Sequence, residues 1–264
     1  MKMTNSRNGF FGGKGYERSK RERTMEIYNA GSRVMNTYIY PALEGYVMID
    51  TGYEHSLKRV EQRADKQGIA LSNIKYVFLT HAHDDHAGFL NELLSKYPDI
   101  KVIIHKRAIP TLLRGQNSFA GGCSSLAALF FCKFMGLIGK GEHLFPAIHQ
   151  QYIDRFIKIS PQNLRDIENI LQGKILFTPG HTSDSISLKI GGKIFCGDAA
   201  MNGAPSFKNI TIWIEQKKAF QNSWNRLLNE KAEWIYPAHG KPFRSEKLKQ
   251  AINDLPKIRL YRLK

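Results

Sequence analysis

A chain of 264 residues in which 42% of the side chains are hydrophobic can bury one sizeable core, and no long Pro/Gly/Ser-rich linker divides it. Its 39 basic against 23 acidic residues leave a formal charge of +16, heaviest at the ends: +5 over residues 1–24 and +6 over residues 241–264. No secretory signal opens the chain, no apolar run is long enough to cross a bilayer, and three cysteines (Cys123, Cys132, Cys196) are too few and too irregular for a disulfide framework, which together predict a cytoplasmic protein.

In chain order, residues 1–24 read as a flexible basic arm, with four glycines between Asn5 and Tyr16, and residues 25–264 as one domain. Solvation explains the basic ends most simply; steering of an anionic substrate, a membrane surface or non-specific nucleic-acid contact are the alternatives. Strand-like runs are expected at 25–30, 33–40 and 45–50, then a helix at 54–67, a strand at 75–79, a helix at 87–97 and a strand at 101–105. An apolar insertion at about 110–150 follows, and its centre, Leu126 to Ile138, is almost wholly apolar. Apolar character on every side predicts burial on several sides, with a lid over a site or a homodimer contact favoured over a core helix or an interfacial anchor. The remainder reads as a helix at 162–171, strands at 174–178, 185–190 and 193–197, a helix at 216–230, a strand at 233–236 and a helix at 245–254. This alternation indicates a layered α/β fold.

The densest chemistry is Thr80-His81-Ala82-His83-Asp84-Asp85-His86-Ala87-Gly88, just after the apolar run Tyr76-Val77-Phe78-Leu79. In an extended segment His81 and His83 point the same way, while Asp85 and His86, opening the next helix, reach a second point nearby. One loop can thus feed two metal ions, and neutral imidazole with carboxylate suits a borderline cation such as Zn²⁺. The plain alternative is a polar helix N-terminus whose aspartates cap it. Three later segments argue against that, because each places one ligand-type residue beyond a strand-like run: Pro179-Gly180-His181, Cys196-Gly197-Asp198 and Ala238-His239-Gly240.

These motifs resemble the metallo-β-lactamase-fold hydrolase superfamily, of the dinuclear His-x-His-x-Asp-His type. Val47-Met48-Ile49-Asp50-Thr51-Gly52 resembles the family's early strand and its Asp-Thr-Gly turn, so the likeness spans about residues 25–245. The resemblance implies a four-layer αββα sandwich with the metals at one edge between two sheets. It implies that His81, His83 and His181 hold one divalent ion, Asp85, His86 and His239 the other, and that Asp198 bridges them. Zinc is the expected metal, with iron or manganese as alternatives. A metal-bridging hydroxide would then attack an ester-like bond of a small molecule, and Asp85 would be catalytic, orienting that nucleophile and shuttling its proton. Asp84, at the family's variable position, is expected to cap the helix or support the ligands, the cap favoured.

By the same resemblance, Asp198 argues against antibiotic hydrolysis, since zinc β-lactamases have no aspartate there. The 25 residues after His239 are too few for the glutathione-binding region of hydroxyacylglutathione hydrolases. Lactonases fit best, which ranks lactone and thioester ahead of phosphodiester. The alternative on this scaffold is a mononuclear iron thiol or persulfide dioxygenase using His81, His181 and Asp198. Tyr38, Tyr53, His105, His143 and His149 are candidate pocket residues, His105 foremost, as are Asn202 and Lys208.

Overall fold

The computed structural model describes residues 25–263; the basic arm expected at 1–24 lies outside them. The chain begins with β1 (Tyr28–Asn29), β2 (Tyr38–Pro41), β3 (Tyr46–Ile49), α1 (Leu57–Asp65) and β4 (Ile74–Phe78). The short α2 (Asp84–Ala87) and α3 (Leu90–Lys96) lead into β5 (Lys101–His105), α4 (Ile109–Arg114), β6 (Gly122–Cys123), α5 (Leu126–Leu137) and β7 (Phe156–Ile159). The second half adds α6 (Leu164–Leu171), β8 (Lys174–Phe177), β9 (Ile186–Ile190), β10 (Lys193–Gly197) and β11 (Trp213–Ile214). It closes with α7 (Lys217–Asn229), β12 (Trp234–Pro237), β13 (Phe243–Arg244) and α8 (Glu246–Ala251).

The two main sheets run β1-β2-β3-β4-β5-β7 and β13-β12-β10-β9-β8. Strand periodicity explains how they stack. In β2, Ile39 faces one core while Tyr38 and Tyr40 face another; in β3, Met48 opposes Val47 and Ile49; in β5, Val102 and Ile104 oppose Ile103. The Ile39–Met48–Val102 side packs on Leu57, Val60 and Ala64 of α1 and on Leu90, Leu93 and Leu94 of α3. Tyr38, Ile49, Phe78 and Ile103 instead meet Ile175, Ile186, Leu188 and Phe195 of the second sheet. That sheet turns Leu176, Ile194, Cys196 and Ile235 to its outer side, against Phe220, Trp224 and Leu227 of α7 and Leu248 of α8. Three separate cores between four layers make an αββα sandwich, in which each sheet buries one face against the other sheet and the opposite face against helices. The i, i+4, i+7 spacing of Phe220, Trp224 and Leu227 puts all three on one face of α7, each worth about 1.5–3 kcal/mol of apolar burial.

Three expectations change. The strand expected at 33–40 starts only at Tyr38, because Ser32 turns the chain and its Oγ accepts from the Val34 and Met35 amides. β7 was not expected: its four residues are a short run, yet they pair in parallel with β5 and complete the first sheet. The apolar stretch does form a helix, α5, but of its side chains only Ala128 is buried, since no further layer of the described chain covers it.

Candidate metal centre

β3 and β4 run parallel, as do β10 and β12, and β8 is antiparallel to β9, which is antiparallel to β10. The loops after β3, β4, β8, β10 and β12 therefore open toward one edge of the sandwich, and they carry the seven motif side chains. Two glycines let these loops close in. Gly197 (φ +52°) and Gly240 (φ +87°) sit in the left-handed region, and a Cβ would lie 2.5 Å from Thr80 Oγ1 at the first and 1.8 Å from the Asn202 carbonyl oxygen at the second.

The first cluster is purely imidazole. His81 Nε2 and His83 Nδ1 each stand 3.1 Å from His181 Nε2, and all three rings are buried. Burial, reinforced by the neighbouring imidazoles, holds His81 and His83 well below the usual histidine range, so both are neutral. His181 Nδ1 lies 2.8 Å from the Trp213 carbonyl; donating there leaves Nε2 bare toward the cluster.

The second cluster mixes imidazole with carboxylate. His239 Nε2 is 3.0 Å from Asp85 Oδ2, and His86 Nε2 is 3.7 Å from Asp85 Oδ1. His86 Nδ1 is anchored 2.9 Å from Asp50 Oδ2, and His239 Nδ1 bonds the Val34 carbonyl. Burial alone would depress both imidazoles, but the surrounding carboxylates prevail and raise His86 to about 9 and His239 to about 10. Asp85 is buried too, yet His86 and His239 hold its carboxyl far below the usual range.

Asp198 joins the clusters. Its Oδ2 lies 3.6 Å from His181 Nε2, and its Oδ1 lies 3.5 Å from His239 Nε2 and 3.7 Å from His86 Nε2. His83 Nε2, His86 Nε2 and Asp198 Oδ1 are buried atoms with no hydrogen-bond partner. Buried polar atoms are almost always satisfied, and electron-pair donors left facing one another are satisfied by cations. Ligand atoms within 4.8 Å of one another form three sets: His81/His83/His181, His81/His86/Asp198 and Asp85/His86/His239. The donor set fits divalent metal ions.

The sequence profile of the metallo-beta-lactamase superfamily matches residues 36–239. The chain belongs to that superfamily. Among its relatives, YobT of Bacillus subtilis, described as uncharacterized, is 29% identical over 238 residues, 84% of this chain and 91% of its own. The probable metallo-hydrolase YflN of the same organism is 28% identical over 158 residues, 59% of this chain and 56% of its own. The lactamase-like protein GME11357 of Pestalotiopsis microspora is 26% identical over 209 residues, 78% of this chain. The chain spans about half the length of the last two relatives, 56% and 49%. An archaeal superfamily protein from Sulfolobus tokodaii superposes with a TM-score of 0.58 at 21% identity, covering 87% of this chain and 85% of that one. TTHA1623, in a di-iron-bound form, gives 0.59 at 21% identity, covering 85% and 97%. The superfamily member described here is metallo-hydrolase-like in fold and donor set.

Around these clusters the edge is braced by further residues, of which Asp50, in the Asp-Thr-Gly turn, lies in a motif. Asp50, whose backbone adopts a left-handed φ of +56°, accepts from the Thr80 amide (2.7 Å) and the Thr80 hydroxyl (2.8 Å) while holding His86. Asp184 Oδ2 accepts from the Ala82 amide between His81 and His83 (2.9 Å). Asn36 Nδ2 donates to the Pro237 and Gly240 carbonyls on either side of His239, and Trp224 Nε1 donates to the Ala199 carbonyl beside Asp198. Asp84 caps nothing: the N-cap position is His83, without a side-chain cap bond. Instead Asn117 clasps Asp84, amide to carboxylate (2.7 Å) and carbonyl to backbone N–H (2.8 Å), and His143 Nδ1 sits 3.3 Å away, tying the insertion to the ligand loop.

Of the other pocket candidates, Tyr53 reaches the site, its hydroxyl 3.5 Å from Asp85 Oδ2. Tyr38 lies in the inter-sheet core with its hydroxyl donating to the Pro237 carbonyl, and His105 packs edge-on to Phe177. His149 stacks on Tyr152, Lys208 pairs with Asp254, and Asn202 donates to the Lys241 carbonyl. Cys196 faces the outer core.

Proposed function

We propose that this chain is a dinuclear metal-dependent hydrolase acting on an ester-like bond of a small molecule, a lactone or thioester ahead of a phosphodiester. His81, His83 and His181 hold one ion in this reading, Asp85, His86 and His239 the second, and Asp198 serves both. The observation that carries it is the division of Asp198, one oxygen toward His181 and the other toward His86 and His239. Two divalent ions bound there supply Lewis acidity and a water activated near neutral pH.

The chain's own part follows from its charges. Asp85 is ionised at the start; it would accept the proton released as water attacks, becoming transiently neutral, and regain its charge on passing that proton to the leaving group. Tyr53, its phenol pushed upward by the Asp85 charge, remains a hydrogen-bond donor at the same carboxylate. A groove of about 1220 Å³, lined in part by Phe119, Cys132, Trp213, Glu215 and Arg262, adjoins His181 through Trp213. Its mixture of aromatic, anionic and cationic walls suits a small amphipathic substrate. Zinc is the first metal by donor type; the di-iron-bound form of TTHA1623 makes iron the competitor.

Elemental analysis of protein purified without a chelating tag, from cells supplied with zinc and iron, tests this together with a panel of lactones, thioesters and phosphodiesters. About two ions per chain with turnover of one panel class supports the reading. One iron per chain with thiol-dependent oxygen uptake replaces it with the mononuclear dioxygenase.

A further inference from the structure

The outward face of α5 breaks the usual pattern of a surface helix. Ser125 caps it, its Oγ accepting from the Ala128 amide, and the inner stripe is Ala128, Cys132 and Met135. On the opposite stripe Phe130 is 69% exposed, Phe134 58% and Leu137 86%, with Leu126 and Ile138 also exposed. A surface helix ordinarily turns polar side chains outward, and a contiguous apolar patch of this kind marks a contact.

The surroundings define the occupant. From Ile100 to Gly141 the chain has six Lys/Arg and no Asp or Glu. Lys133, within α5, and Lys140, just after it, are exposed. The C-terminal segment runs alongside: Tyr261 pairs with Cys123 just ahead of α5, and the exposed Arg262 shares a groove with Cys132 and Lys133. A two-fold contact of α5 with its copy would set Lys133 and Lys140 against their counterparts, while the neighbouring acids, Glu142 and Glu215, line the groove beside the helix that Lys133 and Arg262 share. No helix among the described residues is long and apolar enough to cross a membrane. An aromatic and aliphatic face rimmed by cations is the complement of an anionic lipid interface, where the apolar side chains reach the acyl boundary and the basic ones remain among the headgroups.

We propose that α5 docks the protein on an anionic lipid surface through Phe130, Phe134 and Leu137, with Lys133, Lys140 and Arg262 at the headgroups. This goes beyond the proposed hydrolase activity and is independent of metal content.

The test is co-sedimentation of the full chain with vesicles of phosphatidylcholine alone and of equal parts phosphatidylcholine and phosphatidylserine. The full chain is expected to pellet with the mixed vesicles and far less with the neutral ones. A Phe130→Asp/Phe134→Asp double variant should lower partitioning at least about tenfold, and Lys133→Glu should lower it about fivefold, both with unchanged circular dichroism because the replaced side chains are exposed. Failure of the wild-type chain to pellet with either vesicle overturns the proposal. So does a double variant that binds like the wild type, which would assign binding to the basic ends alone. A lipid-free dimer that the double variant converts to monomer in light scattering would give the face to a second copy instead.

Discussion

The two halves of the metal centre are built on opposite electrostatics. Around His181, three buried imidazoles meet with Asp198 as the one carboxylate within reach, and burial drives His81 and His83 neutral; around His239, two imidazoles are wrapped by Asp50, Asp85 and Asp198 and driven toward the protonated form. The first half is ready to receive a cation, whereas the second must exchange protons for it. The lesson is that burial alone does not set a ligand's state: the same depth gives a neutral histidine or a charged one according to the carboxylates beside it.

The change expected to break this contrast most completely is Asp198→Ala, which removes the one side chain serving both halves. Elemental analysis should find one ion or none, and turnover should fall below detection. Asp85→Asn keeps a ligand-sized side chain but no base, so partial metal content should survive while kcat drops by roughly 10² to 10⁴-fold. Unchanged turnover would remove Asp85 from the proton path. Asp50→Ala acts directly on the second half, through the orientation of His86, and on the first only through Thr80, whose hydroxyl lies 3.1 Å from His81 Nδ1; affinity in the second half should weaken by roughly 10 to 100-fold, with the first half still filled.

Acidity separates the halves more gently. His86 and His239 lie at about 9 and about 10 in the metal-free protein, so protons compete with the second ion increasingly as pH falls below that range, and its uptake releases protons at neutral pH. His81 and His83 lie well below the usual histidine range, so the first ion should bind with little pH dependence near neutrality. Calorimetric titration in buffers of different ionisation enthalpy checks this; equal proton release for both ions would erase the distinction. The smallest effect is expected for Asn117→Ala, which loosens the clasp on Asp84. It should cost about 1 kcal/mol of stability by denaturant titration and leave the ion count unchanged.

The residues that cluster at this edge were legible because the loops carrying them follow apolar strand runs, and chemistry and local structure announce themselves together there. Their supports were not. His181 is oriented by the backbone carbonyl of Trp213, which no side-chain pattern marks, and Ala82 by Asp184, 102 positions further on. Asp50 left a signal, the Asp-Thr-Gly turn after a strand, but not its partner. The sheets were mostly readable from two-residue alternation, whereas β7 hides in a four-residue run whose partner is the strand before a long insertion. For α5, hydropathy identified which side chains avoid water but not whether a further layer exists to cover them.

His239 takes its orientation from the carbonyl of Val34, 205 residues earlier, and the neighbouring Pro237 and Gly240 are pinned by Asn36. During synthesis, His81, His83 and His181 have all emerged before this clasp can form. A growing chain thus passes through a stage in which the three histidines of one cluster have all emerged and the second cluster still lacks His239. Closing the clasp joins two remote stretches of the described chain, a contact with a large loop-closure cost, so it belongs among the late events of folding. In the dinuclear reading, activity stays off until these two stretches are tied together.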